Sequence, residues 1–236
     1  MIIPFEHEWP QTAAEARALQ EQLRARLDLN QPLRWDRLRT IAGADISYSC
    51  KGTRLYAAVV VLEFPSLKLR SVHTASGPVN FPYLPGYLSF REIPVLLKIF
   101  RRLTEDFDVL VCDGHGYAHP RRFGLACHLA TLLGKPAVGC AKSRLIGQYQ
   151  EPAWERGSFQ VLYSDQEQIG WVLRTRTGVK PIFVSPGNFI TFEDALRLAL
   201  QASPRYRVPE PIRQAHLQVN QLRLREETQV PHAAIQ

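Results

Sequence analysis

Cysteine is scarce in this sequence, and no two cysteines have the spacing of a zinc-binding or redox pair. The chain of 236 residues contains four of them, Cys50, Cys112, Cys127 and Cys140. Because no CxxC spacing occurs and the chain is not a short secreted one, we expect reduced thiols packed in strands and helices. A zinc site and a disulfide scaffold are therefore not expected.

Long apolar segments are also missing. The first residues, MIIPFEHEWPQ, contain no basic stretch followed by an apolar core, so they do not resemble a signal peptide. No apolar run reaches the roughly 18 residues that a membrane-spanning helix requires. The sequence predicts a cytoplasmic protein with no membrane partner, and nothing in it indicates anything other than a monomer.

Acidic residues are outnumbered. Lys and Arg number 29 against 22 for Asp and Glu, which gives a formal charge of +7. This excess favours a polyanionic partner, with nucleic acid ahead of an acidic membrane, although a basic protein without such a partner also fits. A hydrophobic content of 45% is enough for one large domain with a sizeable core.

The order of predicted elements indicates an α/β domain with a mixed sheet. An amphipathic helix at about 11–29 precedes three strands with short connections, which favours an antiparallel meander: Thr40–Ser49, Leu55–Phe64 and Leu69–Ser76. A stiff Pro-rich loop, Gly77–Gly86, leads to a helix that ends near Leu103.

A parallel strand–helix–strand unit follows in the predicted order. It consists of a strand at Phe107–Asp113, a helix at Phe123–Leu133 and a strand at Pro136–Cys140. Three further strands and two helices follow, near 158–163, 169–174, 181–184, 191–202 and from 209 onward. We expect residues 1–225 to form a single domain with helices flanking the sheet, and residues 226–236 to form a disordered tail.

Three acids stand out because their surroundings are apolar or basic. Asp45 and Asp113 lie in or at the end of predicted strands, where an unpaired carboxylate costs several kcal/mol. Acids gathered in a basic chain suggest a hard cation that acts on a negatively charged substrate. Each acid has a structural alternative: Asp45 a buried hydrogen-bonding acid, Asp113 an Asp–Gly turn, and Glu92 a capping box with Ser89.

Other residues are candidates for contacts with a nucleic acid, because they are basic or lie on a rigid Pro-rich loop. His119 follows Asp113, and Arg121 and Arg122 stand at a predicted helix start, where phosphate could bind. Lys142, just past a short strand, could steady an attacking water, or could be a solvated surface lysine. His216 shares a helix face with Arg213. Rigid loop segments such as the one from Pro82 to Pro85 can separate bases, unless Tyr83 packs back on the core.

Taken together, six segments resemble the endonuclease V family of nucleic-acid repair enzymes. They occur in the family's order and span most of the chain: IAGADISYS, FPYLPGYLSFRE, DGHGYAHPRRFGLACHLA, PAVGCAKSRLIG, VSPGNFITFEDAL and RVPEPIRQAH. The resemblance implies a ribonuclease-H-like fold. It also implies Mg²⁺-dependent hydrolysis, with Mn²⁺ able to substitute, of the second phosphodiester bond 3′ to deoxyinosine in single- or double-stranded DNA, which leaves a 3′-hydroxyl and a 5′-phosphate.

The resemblance also assigns expected roles to individual positions. Asp45, Glu92 and Asp113 match the metal-binding and catalytic acids, Lys142 matches a lysine near the reacting phosphate, and His216 matches a histidine that not all members keep. The nucleic-acid contacts are expected at Pro82, Tyr83, Leu84, Pro85, Gly86, Leu88 and Gly114, together with His119 and Arg121 from the local pattern. Among these, the backbone at Gly86, Leu88 and Gly114 is expected to surround a flipped base.

Two other functions fit the same features. A related ribonuclease-H-like nuclease, such as a junction resolvase or an enzyme that cuts inosine-containing RNA, would use the same acids. A basic nucleic-acid-binding module without catalysis would need no divalent cation, although carboxylates facing phosphate would bring it no benefit.

Overall fold

The computed structural model describes residues 1–229. Within that range the chain forms five helices and eight strands. The helices are α1 Ala13–Arg24, α2 Leu88–Phe100, α3 Leu125–Leu133, α4 Phe192–Gln201 and α5 Glu210–Gln229. The strands are β1 Thr40–Tyr48, β2 Arg54–Glu63, β3 Leu69–Pro78, β4 Val109–Cys112, β5 Ala137–Ala141, β6 Phe159–Ser164, β7 Glu167–Leu173 and β8 Ile182–Pro186.

All the strands within residues 1–229 belong to one mixed sheet in the order β3-β2-β1-β4-β5-β8-β7-β6. The first three strands form the predicted antiparallel meander, and β4 pairs in parallel with both β1 and β5. The remaining strands continue antiparallel, with β8 inserted between β5 and β7. The prediction of a single α/β domain with a mixed sheet is confirmed.

Helices cover both faces of the central strands. One apolar cluster joins α4 and α5 to one face of the sheet, and a second joins α2 and α3 to the other. Strand β2 is accordingly buried along almost its whole length, as a strand covered on both faces should be. The edge strand β3, in contrast, alternates between exposed and partly buried residues over most of its length.

The ends of the helices differ from the sequence predictions at two places. Helix α1 stops at Arg24, five residues before the expected end at 29. Helix α5 extends to Gln229, so the prediction of a disordered tail is wrong for residues 226–229, and residues 230–236 lie outside the described range. The reason is long-range, since Glu226 pairs with Arg54 at 3.1 Å and Glu227 accepts the Cys50 N–H at 3.0 Å.

The four cysteines are unpaired, as expected. Three are buried, whereas Cys50 is exposed in the turn between β1 and β2 rather than packed in an element. None of the helices within residues 1–229 has the length and apolar character needed to cross a bilayer.

Helix α5 crosses β1 in direct contact at Gly43. A Cβ atom at this position would lie 2.2 Å from the carbonyl oxygen of Pro211, so a larger residue would push the helix away. We expect Gly43→Ala to lower the free energy of unfolding by about 1 to 3 kcal/mol, measured by urea denaturation. The control is Gly178→Asn, at an exposed turn with φ +72° and no atom near the added Cβ, which should change stability by less than about 0.5 kcal/mol. Equal stability of the two variants would contradict the close contact.

Candidate active site

Three acids from three different elements line one cavity of about 240 Å³. Asp45 lies on β1, Glu92 on α2, and Asp113 directly after β4. The Asp113 N–H donates to the Ala44 carbonyl at 3.2 Å, which fixes this loop beside Asp45. Because β4 stops pairing opposite Ala44, the side of β1 beyond that point is open, and the acids reach it from strand, helix and loop.

Each of the three acids has a different hydrogen-bond donor. His216 Nδ1 lies 2.8 Å from Asp45 Oδ2, and Lys142 Nζ lies 2.5 Å from Asp113 Oδ2. The hydroxyl of Tyr48 donates to Glu92 Oε1 at 2.8 Å. The predicted Lys142 and His216 are therefore brought to the acids, and Lys142 is not the free surface lysine of the alternative interpretation.

Glu92 does not cap its helix. The residue before α2 is Tyr87, whose side chain makes no capping bond, and Ser89 is the second residue of the helix. The Ser89 hydroxyl contacts His128 instead, at 3.1 Å. The capping-box alternative is therefore wrong, and the buried Glu92 carboxyl faces the cavity with Tyr48 as its partner.

Burial and mutual repulsion disfavour negative charge in this cavity. Burial raises the pKa of Asp45, and the nearby Asp113 carboxylate raises it further, while His216 opposes the shift. Burial also raises the pKa of Glu92 to about 8, against a stabilising bond from Tyr48 and with added repulsion from Asp45 and Asp113. A bound cation would relieve both the desolvation and the repulsion.

The donor set fits a hard divalent cation in its chemistry. Three carboxylates offer the oxygen ligands that Mg²⁺ and Mn²⁺ prefer. Within residues 1–229, however, no three Asp, Glu, His or Cys side chains are already drawn together as a complete ligand cluster. One oxygen of each acid is engaged by His216, Tyr48 or Lys142, and the carboxylates would have to shift toward the ion as it binds.

A second cavity, of about 170 Å³, adjoins the first, since Leu125 lines both. Its walls come from the Pro-rich loop, the start of α2 and the loops after β4 and β5: Tyr83, Leu84, Pro85, Gly86, Leu88, Ser89, Gly114, His115, His119, Gly124, Leu125 and Leu145. Most of the residues expected to contact nucleic acid thus line this cavity. Pro82 is exposed on the same loop but does not line the cavity.

Tyr83 projects outward at the rim of this second cavity. Its side chain is 69% exposed, so the alternative in which it packs back on the core is wrong. Next to it, Leu84 packs partly against the small apolar cluster of Phe81 and Phe90, which anchors the loop. An exposed aromatic ring on a rigid loop is available to stack on a base.

His119 and Arg121 support the Pro-rich loop at Gly86. Both donate to the Gly86 carbonyl, at 3.0 Å and 2.6 Å, and Gln20 donates to the same oxygen at 3.1 Å. The helix predicted from Phe123 begins at Leu125, so Arg121 lies four residues before its first residue. The structure thus adds a role for Arg121 beneath the cavity, and a contact of Arg121 with nucleic acid stays a prediction.

The next arginine is also occupied within the protein. Arg122 is buried and pairs with Glu167 at 2.7 Å.

Gly86 itself has φ +80°, and a Cβ there would lie 2.7 Å from the Arg121 guanidinium, so glycine is needed at this turn. Leu88 follows as the first residue of α2, where a backbone N–H has no partner within the helix.

Sequence reasoning missed three side chains around the two cavities. Tyr48 could have been found, because strand alternation places it on the face opposite Asp45, where α2 packs. Asn220, which contacts His216, lies four residues further along the same helix, a regular helical spacing. His115 was noted but given no role, and burial lowers its pKa to about 4.

Comparisons with known proteins show which family the sequence and the fold resemble. The family model described as Endonuclease V matches residues 21–217. An endonuclease V from Methanothrix thermoacetophila is 47% identical over 211 residues, which cover 89% of this chain and 92% of the relative. The crystal structure of an endonuclease V from Streptomyces avermitilis is 41% identical, with a TM-score of 0.88 over 93% of this chain and 96% of that chain.

The similar structures include complexes with nucleic acid. Endonuclease V from Ciona intestinalis was crystallised in complex with a 24mer DNA containing an inosine followed by a ribo-adenosine. It is 25% identical to this chain, with a TM-score of 0.79 over 91% of this chain and 98% of that chain.

Proposed function

This chain belongs to the endonuclease V family, and we propose that it cleaves DNA at deaminated adenine, hydrolysing the second phosphodiester bond 3′ to deoxyinosine. The products would be a 3′-hydroxyl and a 5′-phosphate. The observation that carries the proposal is the position of a three-carboxylate cavity next to a cavity with an exposed aromatic residue at its rim. The first suits phosphodiester hydrolysis, and the second suits a base taken out of the stack.

Asp45, Glu92 and Asp113 would hold Mg²⁺, or Mn²⁺ in its place. The ion would supply positive charge next to the scissile phosphate and an acidified water. His216 holds Asp45 in a fixed orientation, since its other ring nitrogen contacts Asn220 at 3.1 Å. Lys142 lies beside Asp113, where its ammonium group can offset charge that develops on the phosphate as the bond to the leaving 3′ oxygen breaks.

The substrate is proposed to be inosine-containing DNA, single- or double-stranded, and the Ciona intestinalis relative was crystallised with a 24mer DNA containing an inosine followed by a ribo-adenosine. Activity on inosine-containing RNA stays an alternative, and competition between matched DNA and RNA strands would separate the two. A cytoplasmic location and a monomeric state stay predictions from the sequence.

Product mapping tests the proposed reaction directly. A 5′-labelled strand carrying one deoxyinosine is incubated with the protein in Mg²⁺, in Mn²⁺ and in EDTA. We expect one product, cut at the second bond 3′ to the lesion, in either cation and none in EDTA. Binding without cleavage in all three conditions would instead favour the non-catalytic binding module.

Tyr83→Ala should weaken binding of an inosine-containing duplex by roughly tenfold, because an exposed ring that stacks on a base is worth about 1 to 3 kcal/mol. The measurement is fluorescence anisotropy in EDTA. Tyr83→Phe is the matched control and should bind almost as tightly as the wild type, since it keeps the ring. Unchanged affinity of Tyr83→Ala would remove this loop from the interface.

A further inference from the structure

Ser89 is a buried residue at the wall of the second cavity. Ser89 is the second residue of α2, is 3% exposed, and lines the cavity next to Leu88. Its oxygen lies 3.1 Å from His128 Nδ1, and within residues 1–229 this is the one side-chain hydrogen bond that it makes. A buried hydroxyl has one hydrogen to donate and can also accept, so the direction of the His128 contact decides what Ser89 offers to a ligand.

A row of hydrogen bonds fixes that direction. The Glu8 carbonyl can only accept, so His7 Nδ1, at 2.8 Å from it, carries the hydrogen. In a neutral imidazole the other nitrogen is then an acceptor, and His7 Nε2 lies 2.7 Å from His128 Nε2. His128 must therefore donate from Nε2 and accept at Nδ1. Ser89 consequently donates its hydrogen to His128, and its hydroxyl oxygen remains available as an acceptor.

The surroundings keep both imidazoles neutral and in place. His128 is fully buried, and its ring centroid lies 5.1 Å from that of Phe90 and 5.4 Å from that of Phe123. Trp9 stacks on the same ring at 5.9 Å. Burial lowers the pKa of His128 well below its usual range and also lowers the pKa of His7. Both rings therefore stay uncharged near neutral pH. The hydrogen-bond directions derived for His7, His128 and Ser89 require this neutral state.

We propose that Ser89 is a specificity-determining residue that accepts a hydrogen bond from the N1–H group of hypoxanthine, an inference that rests on the proposed function. Deamination converts adenine N1 from an acceptor into a donor and replaces the 6-amino group by an oxygen. Leu88, the neighbouring residue, presents a first-turn backbone N–H of α2, a suitable donor for that oxygen. Together the two residues offer one acceptor and one donor, the complement of the deaminated edge.

Adenine would meet the same pair with both groups mismatched. Its N1 lone pair would face the Ser89 lone pairs, and its 6-amino group would face the Leu88 N–H. Polar groups left unpaired in a buried site lower affinity strongly, which is why such sites reject analogues that lack the matching group. Ser89 would therefore contribute to the rejection of undamaged adenine as well as to the binding of the lesion.

Ser89→Ala tests the proposal through binding rather than turnover. Dissociation constants are measured in EDTA for strands with hypoxanthine or unsubstituted purine at the same position, because purine lacks both the 6-oxygen and the N1–H. We expect Ser89→Ala to bind the hypoxanthine strand roughly tenfold more weakly and the purine strand at least as tightly as the wild type does, because purine N1 has no hydrogen to donate to Ser89. An equal effect on both strands would mean a structural role and would overturn the proposal.

His7→Phe tests the hydrogen bonds that connect His7 to His128 and Ser89, and it changes no residue that lines the cavity. This change frees His128 to place its hydrogen on Nδ1, which would turn the Ser89 hydrogen toward the ligand. We expect a several-fold loss of hypoxanthine affinity in the wild-type background and no further loss in the Ser89→Ala background. Additive effects of the two changes would overturn the role of the row.

The tautomer of His128 can also be observed directly in the unaltered protein. Long-range ¹H–¹⁵N correlation spectra should show the ring hydrogen of His128 on Nε2 and not on Nδ1. A hydrogen on Nδ1 would overturn the inference even if the protein cleaves DNA beside deoxyinosine. A wild type with no preference for hypoxanthine over adenine would instead overturn the proposed function and the inference with it.

Discussion

Asp113→Ala is expected to reduce cleavage next to deoxyinosine by about 10³-fold or more, with little change in DNA affinity. The carboxylate comes from the loop beyond β4, lines the same cavity as Asp45 and Glu92, and is the partner of Lys142. Its removal takes away both a ligand for the cation and the anchor of the lysine. This loss should cost several kcal/mol of transition-state stabilisation, and each ~1.4 kcal/mol is a factor of ten in rate.

The matched control for this change is Asp106→Ala. Asp106 is a mostly exposed acid that pairs with Lys135 at 2.8 Å on the surface, away from both cavities. Its loss should leave the single-turnover rate within about twofold of the wild type, since exposed ion pairs contribute little. Single-turnover rates with Mg²⁺ and anisotropy in EDTA give the two readouts, and a normal rate for Asp113→Ala would refute the site.

Glu92→Gln is expected to abolish cleavage and, at the same time, to stabilise the cation-free protein at alkaline pH. Burial raises the pKa of Glu92 from 4.5 to about 8, so in the folded protein the carboxyl stays protonated where the unfolded chain is ionised. The free energy of unfolding of the wild type therefore falls as the pH rises from about 4.5 to 8. Above pH 8 the folded wild type carries a buried negative charge on Glu92. Glutamine has no charge to bury and still accepts from Tyr48.

The measurement is urea denaturation in EDTA at pH 5 and at pH 9. At pH 9 the variant should be more stable than the wild type by roughly 2 kcal/mol or more, whereas at pH 5 the difference should nearly vanish. The control Glu155→Gln changes an exposed glutamate and should show no such pH dependence. A Glu92→Gln variant that is less stable at pH 9 would show that the carboxylate is stabilised in the fold.

Local patterns were sufficient for the first half of the fold. Alternation and short turns predict the meander, and the apolar strand that ends at Asp113 predicts the parallel unit, because these signals lie within each segment. Nothing local places β8 between β5 and β7. That order depends on contacts between segments distant in the sequence.

The same distinction explains which site residues were assigned well. The three acids are conspicuous because their surroundings are apolar or basic, and the family motifs fix their order. The contacts of Arg121 with Gln20 and Gly86 could not be predicted, because both partners are far away in the sequence. The role of Ser89 could not be derived either, since the direction of its hydrogen bond depends on His7 and His128.

The most direct test of the cation site is anomalous diffraction from crystals soaked in Mn²⁺. Data collected at the manganese absorption edge should show a peak in the cavity lined by Asp45, Glu92 and Asp113, within coordination distance of at least two of these carboxylates. The same peak should be absent from crystals of Asp113→Ala. Ordered Mn²⁺ elsewhere, with this cavity empty at saturating concentration, would contradict the account.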